Sequence, residues 1–404
     1  WANGLIVARR LRVYSHLASD SLTLPAYFEN RFEDNSRMLR VISAVFILLF
    51  FLFYTSSGLV AAGKLFESTF GFGYELAVVI GTLAIISYTF FGGFLAVSWT
   101  DVIQGLLMAA ALIVVPVMAL NVVGGWDAVH GAMEARNPEL LNLWTNVEGE
   151  PLGFIAIISL LGWGLGYFGQ PHILARFKAI ESDAALPTAR RIAVLWSGVC
   201  LLAALVIGWI GIGYFGEEGL ADAETVFLAL VQALMHPLVA GILLAAVLAA
   251  IMSTADSQLL VSSSALAEDF YKALFRRDAS QQELVWVGRA AVVGIAALAL
   301  VFAFNPESTV LGLVSYAWAG FGAAFGPAII LSLFWRRMNR FGALAGIIVG
   351  GVTVVVWKQI DTIGLYEIIP GFILATIAIV VVTLITPAPE GKVADQFDDM
   401  ASRF

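Results

Sequence analysis

The sequence VISAVFILLFFLFYTSSGLVAAG, residues 41–63, runs for 23 residues without a charged side chain. As an α-helix rising about 1.5 Å per residue, it is long enough to cross a hydrocarbon layer of about 30 Å. Similar apolar stretches recur along the whole chain. They predict ten membrane-spanning helices, near residues 41–63, 75–97, 103–123, 152–170, 192–215, 237–262, 288–304, 309–335, 342–357 and 366–386.

The composition supports a membrane protein. Of the 404 residues, 60% are hydrophobic and 13% are charged, whereas an ordinary soluble domain has about 45–50% apolar and about 25% charged residues. These values exclude a water-soluble domain. We therefore predict an all-α polytopic membrane protein with one transmembrane domain over residues 1–404 and a polar cytoplasmic tail at 387–404.

Positive charges give an independent test of the helix count, because Lys and Arg are retained in short cytoplasmic loops. If residues 1–40 are cytoplasmic and the loops alternate, all of the 22 Lys and Arg residues except Lys64, Arg136 and Lys358 lie inside. The net charge of −8 does not indicate nucleic-acid binding, since acidic residues concentrate in the predicted outer loops. We interpret these as solvated: Asp127, Glu134, Glu139, Glu148, Glu150, Glu217, Glu218, Asp222 and Glu224.

Several classes of site are not indicated. The single cysteine, Cys200, excludes an internal disulfide framework, and the four histidines show no metal-ligand spacing. The patterns G-x-S-x-G, H-E-x-x-H and the P-loop are absent. Two G-x-G-x-x-G matches, at 164–169 and 211–216, follow no predicted strand. We therefore expect neither an enzyme nor an organic cofactor.

The predicted span 237–262 contains the most informative polar residues. Ser253 and Thr254 carry hydroxyl groups three and four residues after Ala250, so all three lie on one helix face. Neutral hydroxyl and carbonyl oxygens of this kind bind Na⁺ in transporters. The alternative is that both hydroxyls only bond back to their own helix. Asp256 is interpreted as a group that faces the cytoplasmic vestibule or has a structural role, and an ion ligand is the alternative.

Aromatic residues suggest a second site. Trp163, Tyr167 and Pro171 are spaced four apart, so on a continuous helix they would stack on one face. Tyr54 adds an aromatic hydroxyl within another span. A small apolar ring could bind against such a face, but an aromatic stripe that serves only for packing is the alternative.

Three segments make the chain resemble the sodium:solute symporter family: GWGLGYFGQPHILARF at 162–177, SYAWAGFGAAFGP at 315–327 and GGFLAVSWTD at 92–101. The similarity extends from Trp1 to about Pro387. It implies the leucine-transporter-type fold, in which two inverted repeats of five helices surround a midplane site. It also implies that about ten of thirteen helices are present and that the chain begins within the third, so that we do not expect this stretch alone to transport.

The resemblance is strongest to the proline branch of that family. It implies sodium-coupled secondary active uptake of L-proline by alternating access, in the lipid bilayer of a bacterial-type plasma (inner) membrane. Na⁺ would be the coupling ion, and no nucleic acid or obligate protein partner is implied. The matching positions are Ala250, Ser253 and Thr254 for sodium, and Tyr54, Trp163, Tyr167 and Pro171 for proline binding and gating. Another small solute, or a proline-sensing membrane domain, remains the alternative.

Overall fold

The structure is a computed structural model that describes residues 1–90, 94–146, 148–216, 219–305 and 307–404. Sixteen α-helices form its framework within these residues. They are α1 (Ala8–Leu17), α2 (Leu24–Arg31), α3 (Met38–Phe70), α4 (Tyr74–Thr89), α5 (Phe94–Val123), α6 (Trp126–Arg136), α7 (Phe154–Gly166), α8 (Pro171–Ala179), α9 (Leu186–Phe215), α10 (Val226–Leu234), α11 (Pro237–Ser264), α12 (Gln281–Ala303), α13 (Val310–Phe334), α14 (Arg340–Ile360), α15 (Ile368–Ile385) and α16 (Lys392–Ser402).

The all-α prediction is confirmed. Across the described residues, nine helices are long and apolar enough to cross a membrane, and every predicted span overlaps a helix. The second predicted span, 75–97, is not among the nine, because it corresponds mainly to α4, which has only 16 residues. Residues 91–93 of that span, together with Glu217 and Glu218 of the predicted outer loops, lie outside the described residues.

Three predicted boundaries are wrong. The segment between 97 and 103, predicted as a loop, is helical, because α5 already begins at Phe94. Asp101 of this helix forms a 2.7 Å ion pair with Arg176. A carboxylate can lie within a membrane helix when it is paired with a positive side chain, as Asp101 is here. The span 152–170 is interrupted, because α7 ends at Gly166 and α8 begins at Pro171; together they form the apolar span Phe154–Ala179. The span 237–262 continues beyond α11 as a π-helix, Ala265–Phe275.

Helix α13 forms the centre of the core. Most of its residues are buried, and it packs against α3, α14 and α15. Glycines make the approach close: Gly320 faces the Phe50 ring and Gly350 faces the Ala323 carbonyl, so a side chain at either position would collide. Because lipid is as apolar as the core, such close packing is what holds membrane helices together.

The C-terminal tail, predicted as a polar extension, contains a docked amphipathic helix. Phe397 and Met400 of α16 are buried, and the Gln396 amide donates to the Leu17 carbonyl at 3.0 Å. Arg336 forms two 2.7 Å hydrogen bonds with Asp398, and these hold the pKa of that exposed carboxyl below its usual value. The tail is therefore part of the folded unit.

A buried arginine lies under this helix. The Arg31 guanidinium lies 4.6 Å from the Tyr14 ring centre, 4.7 Å from that of Phe32 and 5.6 Å from that of Phe397. Burial lowers the pKa of Arg31 and raises that of Tyr14. The rings stabilise the cation through their negative faces, which joins α1 and α2 to α16.

Candidate functional site

The three predicted sodium positions lie together on α11. The Ser253 hydroxyl donates to the Ala250 carbonyl at 3.0 Å, and the Thr254 hydroxyl donates to the same carbonyl at 3.1 Å. These are the bonds that the back-bonding interpretation expects. Each hydroxyl oxygen nevertheless keeps its lone pairs, so three neutral oxygens can face one cation. Their role as sodium ligands stays a prediction.

Two cavities converge on these residues. One, of about 540 Å³, is lined by Ala250, Thr254 and Tyr54 and extends to Lys64. The other, of about 530 Å³, is lined by Ser253, Thr254 and Tyr54. Thr254 and Tyr54 therefore lie where both cavities meet, together with Met108. A ligand bound at these residues would therefore border both cavities.

The predicted aromatic face is interrupted, which corrects the prediction that Trp163, Tyr167 and Pro171 stack on one helix. Helix α7 ends at Gly166, Tyr167 lies in the turn, and Pro171 begins α8. Proline lacks the N–H that a continuous helix would need, but it suits a first turn. The buried Gln170 amide bridges the break by donating to the Gly166 carbonyl at 3.1 Å and to the Trp318 carbonyl at 3.2 Å.

Trp163 and Tyr167 are instead organised around Trp318 of α13, a residue that the sequence did not single out. The Trp163 ring stacks on Trp318 with the ring centres 5.2 Å apart, and the centre of the Tyr366 ring lies 6.4 Å from that of Trp163. Tyr167 meets the Trp318 ring edge-on at 4.8 Å, and its side chain is 42% exposed. Trp163 thus has the contacts of the packing alternative, whereas Tyr167 retains free surface.

Pro171 lines a third cavity, of about 420 Å³. Its neighbour His172 connects this cavity with the one at Ser253, because it lines both. The His172 ring also lies 6.0 Å from that of Tyr54. Sequence reasoning treated His172 as one of four scattered histidines. The sequence feature that could have identified His172 is its position directly after Pro171, at the start of a helix.

Asp256 does not face a vestibule, so that expectation is wrong. Its side chain is fully buried, and its carboxyl group accepts a hydrogen bond from the Thr89 hydroxyl of α4. The neighbouring Ser257 instead receives a 2.9 Å hydrogen bond from Arg176, which also pairs with Asp101. Asp256 therefore joins α11 to α4, and its neighbour joins α11 to α8.

A polar cluster lies at the far end of the 540 Å³ cavity. Lys64 contacts Asp222 at 2.6 Å and Glu224 at 2.7 Å. Glu224 also accepts the backbone N–H groups of Val310 and Leu311 at 3.0 Å, which caps α13. The interpretation of Asp222 and Glu224 as merely solvated is therefore wrong. Burial opposes ionisation of Asp222, but hydrogen bonds from Lys64 and a backbone amide lower its pKa overall.

Comparison with known proteins identifies the family. Residues 1–350 match the sodium:solute symporter family. The chain belongs to that family. It is 53% identical to the sodium/proline symporter of Escherichia coli, over 100% of this chain and 81% of that protein. It is 48% identical to the high-affinity proline transporter PutP of Bacillus subtilis, over 99% of this chain and 84% of that protein.

Solved structures confirm the leucine-transporter-type fold. A sodium-coupled sialic acid symporter in an outward-open state matches with a TM-score of 0.73 at 20% identity, over 96% of this chain and 86% of that one. A nucleobase-cation-symport-1 family transporter in a closed conformation matches with a TM-score of 0.53 at 16% identity, over 98% of this chain and 89% of that one. At these identities the likeness shows the fold alone.

Proposed function

We propose that this protein is a sodium-coupled symporter for L-proline. The observation that carries the proposal is 53% identity to a sodium/proline symporter along the whole chain. The family match and the transporter fold agree with it. Both point to a membrane carrier rather than an enzyme.

In this proposal the sodium ion binds the carbonyl oxygen of Ala250 and the hydroxyl oxygens of Ser253 and Thr254. Exposure of Thr254 to both cavities supports the assignment, because a coupling ion must reach its site from each side in turn. Sodium then raises the affinity for proline, and by linkage proline raises the affinity for sodium to the same extent.

The solute is proposed to bind next to this ion, against Tyr54 and Tyr167. Tyr54 shares both cavities with Thr254, and the partly exposed Tyr167 offers a ring face for the pyrrolidine. Trp163 would fix the end of α7 through its stack on Trp318. Pro171 would act in gating, because it begins the helix that lines the third cavity.

The membrane potential supplies part of the driving force. One positive charge crossing 100 mV releases about 2.3 kcal/mol. This corresponds to an accumulation of about fifty-fold, before any sodium concentration gradient is added. We propose the plasma (inner) membrane as the location, with residues 1–40 and the C-terminus in the cytoplasm. The distribution of Lys and Arg supports this orientation.

Uptake by proteoliposomes of the full-length protein tests the function. Labelled L-proline should accumulate when an inward sodium gradient is imposed and should only equilibrate when potassium replaces sodium. An inside-negative potential should increase the accumulation. Sodium-dependent binding without accumulation would favour the proline-sensing alternative, and stronger competition by pantothenate or a sugar than by unlabelled proline would replace proline as the solute.

A further inference from the structure

The cavity of about 420 Å³ has a wall that the proposed function does not use. It lies between α8 and the long helix formed by α11 and its π-helical continuation. Pro171 and His172 line it at the start of α8, and Lys178 lines it at the end of the same helix. The loop at 20–24 between α1 and α2 lines it as well, together with Asp269 of the π-helix.

Two polar contacts attach this loop to opposite walls of the cavity. The Lys178 ammonium group donates to the Leu22 carbonyl at 2.6 Å. The Thr23 hydroxyl of the next residue donates to Asp269 Oδ1 at 3.1 Å. The Leu22 side chain is 85% exposed, so apolar burial of that side chain does not hold this part of the loop. Residues 22 and 23 therefore reach the two walls through these two polar contacts.

The loop itself is stiff. Ser19 and Asp20 have positive φ angles of 59° and 50°. The Ser21 hydroxyl is buried and donates to the Ala18 carbonyl, and it accepts a 2.9 Å hydrogen bond from Asn30 of α2. Because these hydrogen bonds lie within α1, α2 and the loop itself, they can stay intact when the contacts of Leu22 and Thr23 with the two walls break.

Asp269 links the loop to the proposed sodium site. Its carboxyl group is fully buried and receives a 2.7 Å bond from Arg40 of α3, which also binds Glu29 of α2 at 2.9 Å. Asp269 and Thr254 lie on one continuous helical span, Pro237–Phe275. They are separated by about 22 Å along its axis at the usual helical rise. A displacement of this span at the ion therefore moves the carboxylate that holds the loop.

We propose that residues 18–23 form the cytoplasmic gate of the transport pathway, and that Lys178 and Asp269 hold it closed. The inference rests on the proposed function and on its orientation, with residues 1–40 in the cytoplasm. Opening requires the Thr23–Asp269 and Lys178–Leu22 contacts to break together. The cavity at Pro171 then becomes continuous with the cytoplasm, and the solute leaves through it.

The test measures access to the cavity directly. Cys200→Ser removes the single cysteine, and Ser264→Cys places a thiol of similar size in the cavity lining. A membrane-impermeant maleimide is then applied to inside-out vesicles in sodium and proline. Thr23→Val and Lys178→Met should each raise the labelling rate about tenfold, because each removes one of two contacts of the closed state.

Matched variants separate gating from misfolding. Thr23→Val also removes the cap of α2, because Thr23 accepts from the Ala26 N–H. Thr23→Ser keeps both bonds and should restore the original rate. Asp269→Asn removes the charge that strengthens the bond from Thr23, together with the 2.7 Å ion pair to Arg40, and should raise the rate while leaving the cap intact. Glu268→Gln and Lys272→Met remove a 3.2 Å ion pair from the same π-helix, which is not one of the described contacts of Leu22 or Thr23. They should leave the labelling rate unchanged.

Failure of the gate and failure of the proposed function give different results. Unchanged labelling in Thr23→Val, Lys178→Met and Asp269→Asn, or equal acceleration by Glu268→Gln, overturns the gate even when the unmodified protein accumulates proline. Failure of the unmodified protein to accumulate proline in response to sodium overturns the proposed function. In that case faster labelling of the three variants still shows that the two contacts close the cavity.

Discussion

Trp318 donates its indole N–H to the backbone carbonyl of Trp163 at 2.9 Å, and the two rings stack 5.2 Å apart. The carbonyl belongs to the last turn of α7, where the helix leaves carbonyl groups without helical partners. One residue of the buried α13 therefore completes the end of α7 and also holds Tyr167 at the site. This relationship makes Trp318 a positioning residue for the proposed proline site.

Trp318→Phe should weaken proline binding and lower the thermal stability. The variant keeps an aromatic ring but loses the N–H, at a cost of about 0.5–1.5 kcal/mol. Trp357→Phe is the matched control, because Trp357 makes the same kind of 2.9 Å bond to the Leu365 carbonyl elsewhere. Uptake kinetics should show a raised half-saturation for proline in Trp318→Phe alone. Equal kinetics in both variants would mean that Trp318 only stabilises the fold.

Ser253→Ala and Thr254→Ala should each raise the sodium concentration that gives half-maximal uptake, by about tenfold for the loss of one ligand oxygen. Ser263→Ala is the control on the same helix, since its hydroxyl bonds back to the Leu260 carbonyl at 2.9 Å. Sodium titrations of proline uptake measure the effect. If Ser263→Ala shifts the titration as much as the other two, the hydroxyls serve only their own helix.

The fold was largely predictable from the sequence. Apolar runs of about 20 residues can be satisfied in lipid only as helices, so the spans followed from composition and loop charge. The proximity of Ala250, Ser253 and Thr254 was also predictable, because they follow each other closely along α11 and the helix is regular there; their role as sodium ligands stays a prediction.

Contacts between distant segments were not predictable. Trp318 reaches Trp163 across 155 residues of sequence, and Thr23 reaches Asp269 across 246; helical spacing contains no information about either. The break at Gly166 was missed because the four-residue spacing favours a continuous helix. The cluster at Lys64 could have been suspected from the sequence, since Lys64 is one of three positive residues that the charge rule places outside.

Gln170→Leu should destabilise the break between α7 and α8. The Gln170 side chain is fully buried, and its amide group serves the carbonyls of Gly166 and Trp318. Leucine removes both hydrogen bonds, at about 0.5–1.5 kcal/mol each, while the Gly166 carbonyl keeps its 3.0 Å bond from the Gly169 N–H. Thermal unfolding in detergent measures the loss. A variant that unfolds at the original temperature would show that the carbonyls find other donors and that Gln170 does not hold the break.

Phe397→Ala should release α16 from the rest of the fold. The substitution removes a buried ring and opens one side of the cage around Arg31. Limited proteolysis should then cut near the C-terminus faster than in the original protein. Asp395→Ala is the control, because Asp395 lies on the exposed face of the same helix. Equal protection of Phe397→Ala and the original protein would mean that other contacts, such as Arg336–Asp398, suffice for docking.

The Lys64–Asp222 contact should stabilise the protein at neutral pH and lose its effect only in acid. The pKa of Asp222 is lower in the folded protein than its ordinary value. Its contribution is therefore complete above the unfolded value of about 3.9, and it disappears as the pH falls through the lower folded value. The difference in melting temperature between the original protein and Asp222→Asn should stay constant from neutral pH down to about 5 and shrink below about 4. A difference that titrates near neutral pH, or that persists in strong acid, would contradict this assignment.

Asp361→Asn is the control, because the side chain of Asp361 bonds only the backbone N–H groups of Ile363 and Gly364 among the described contacts. High salt should reduce the Asp222 effect, since the carboxylate is 41% exposed and such pairs are screened.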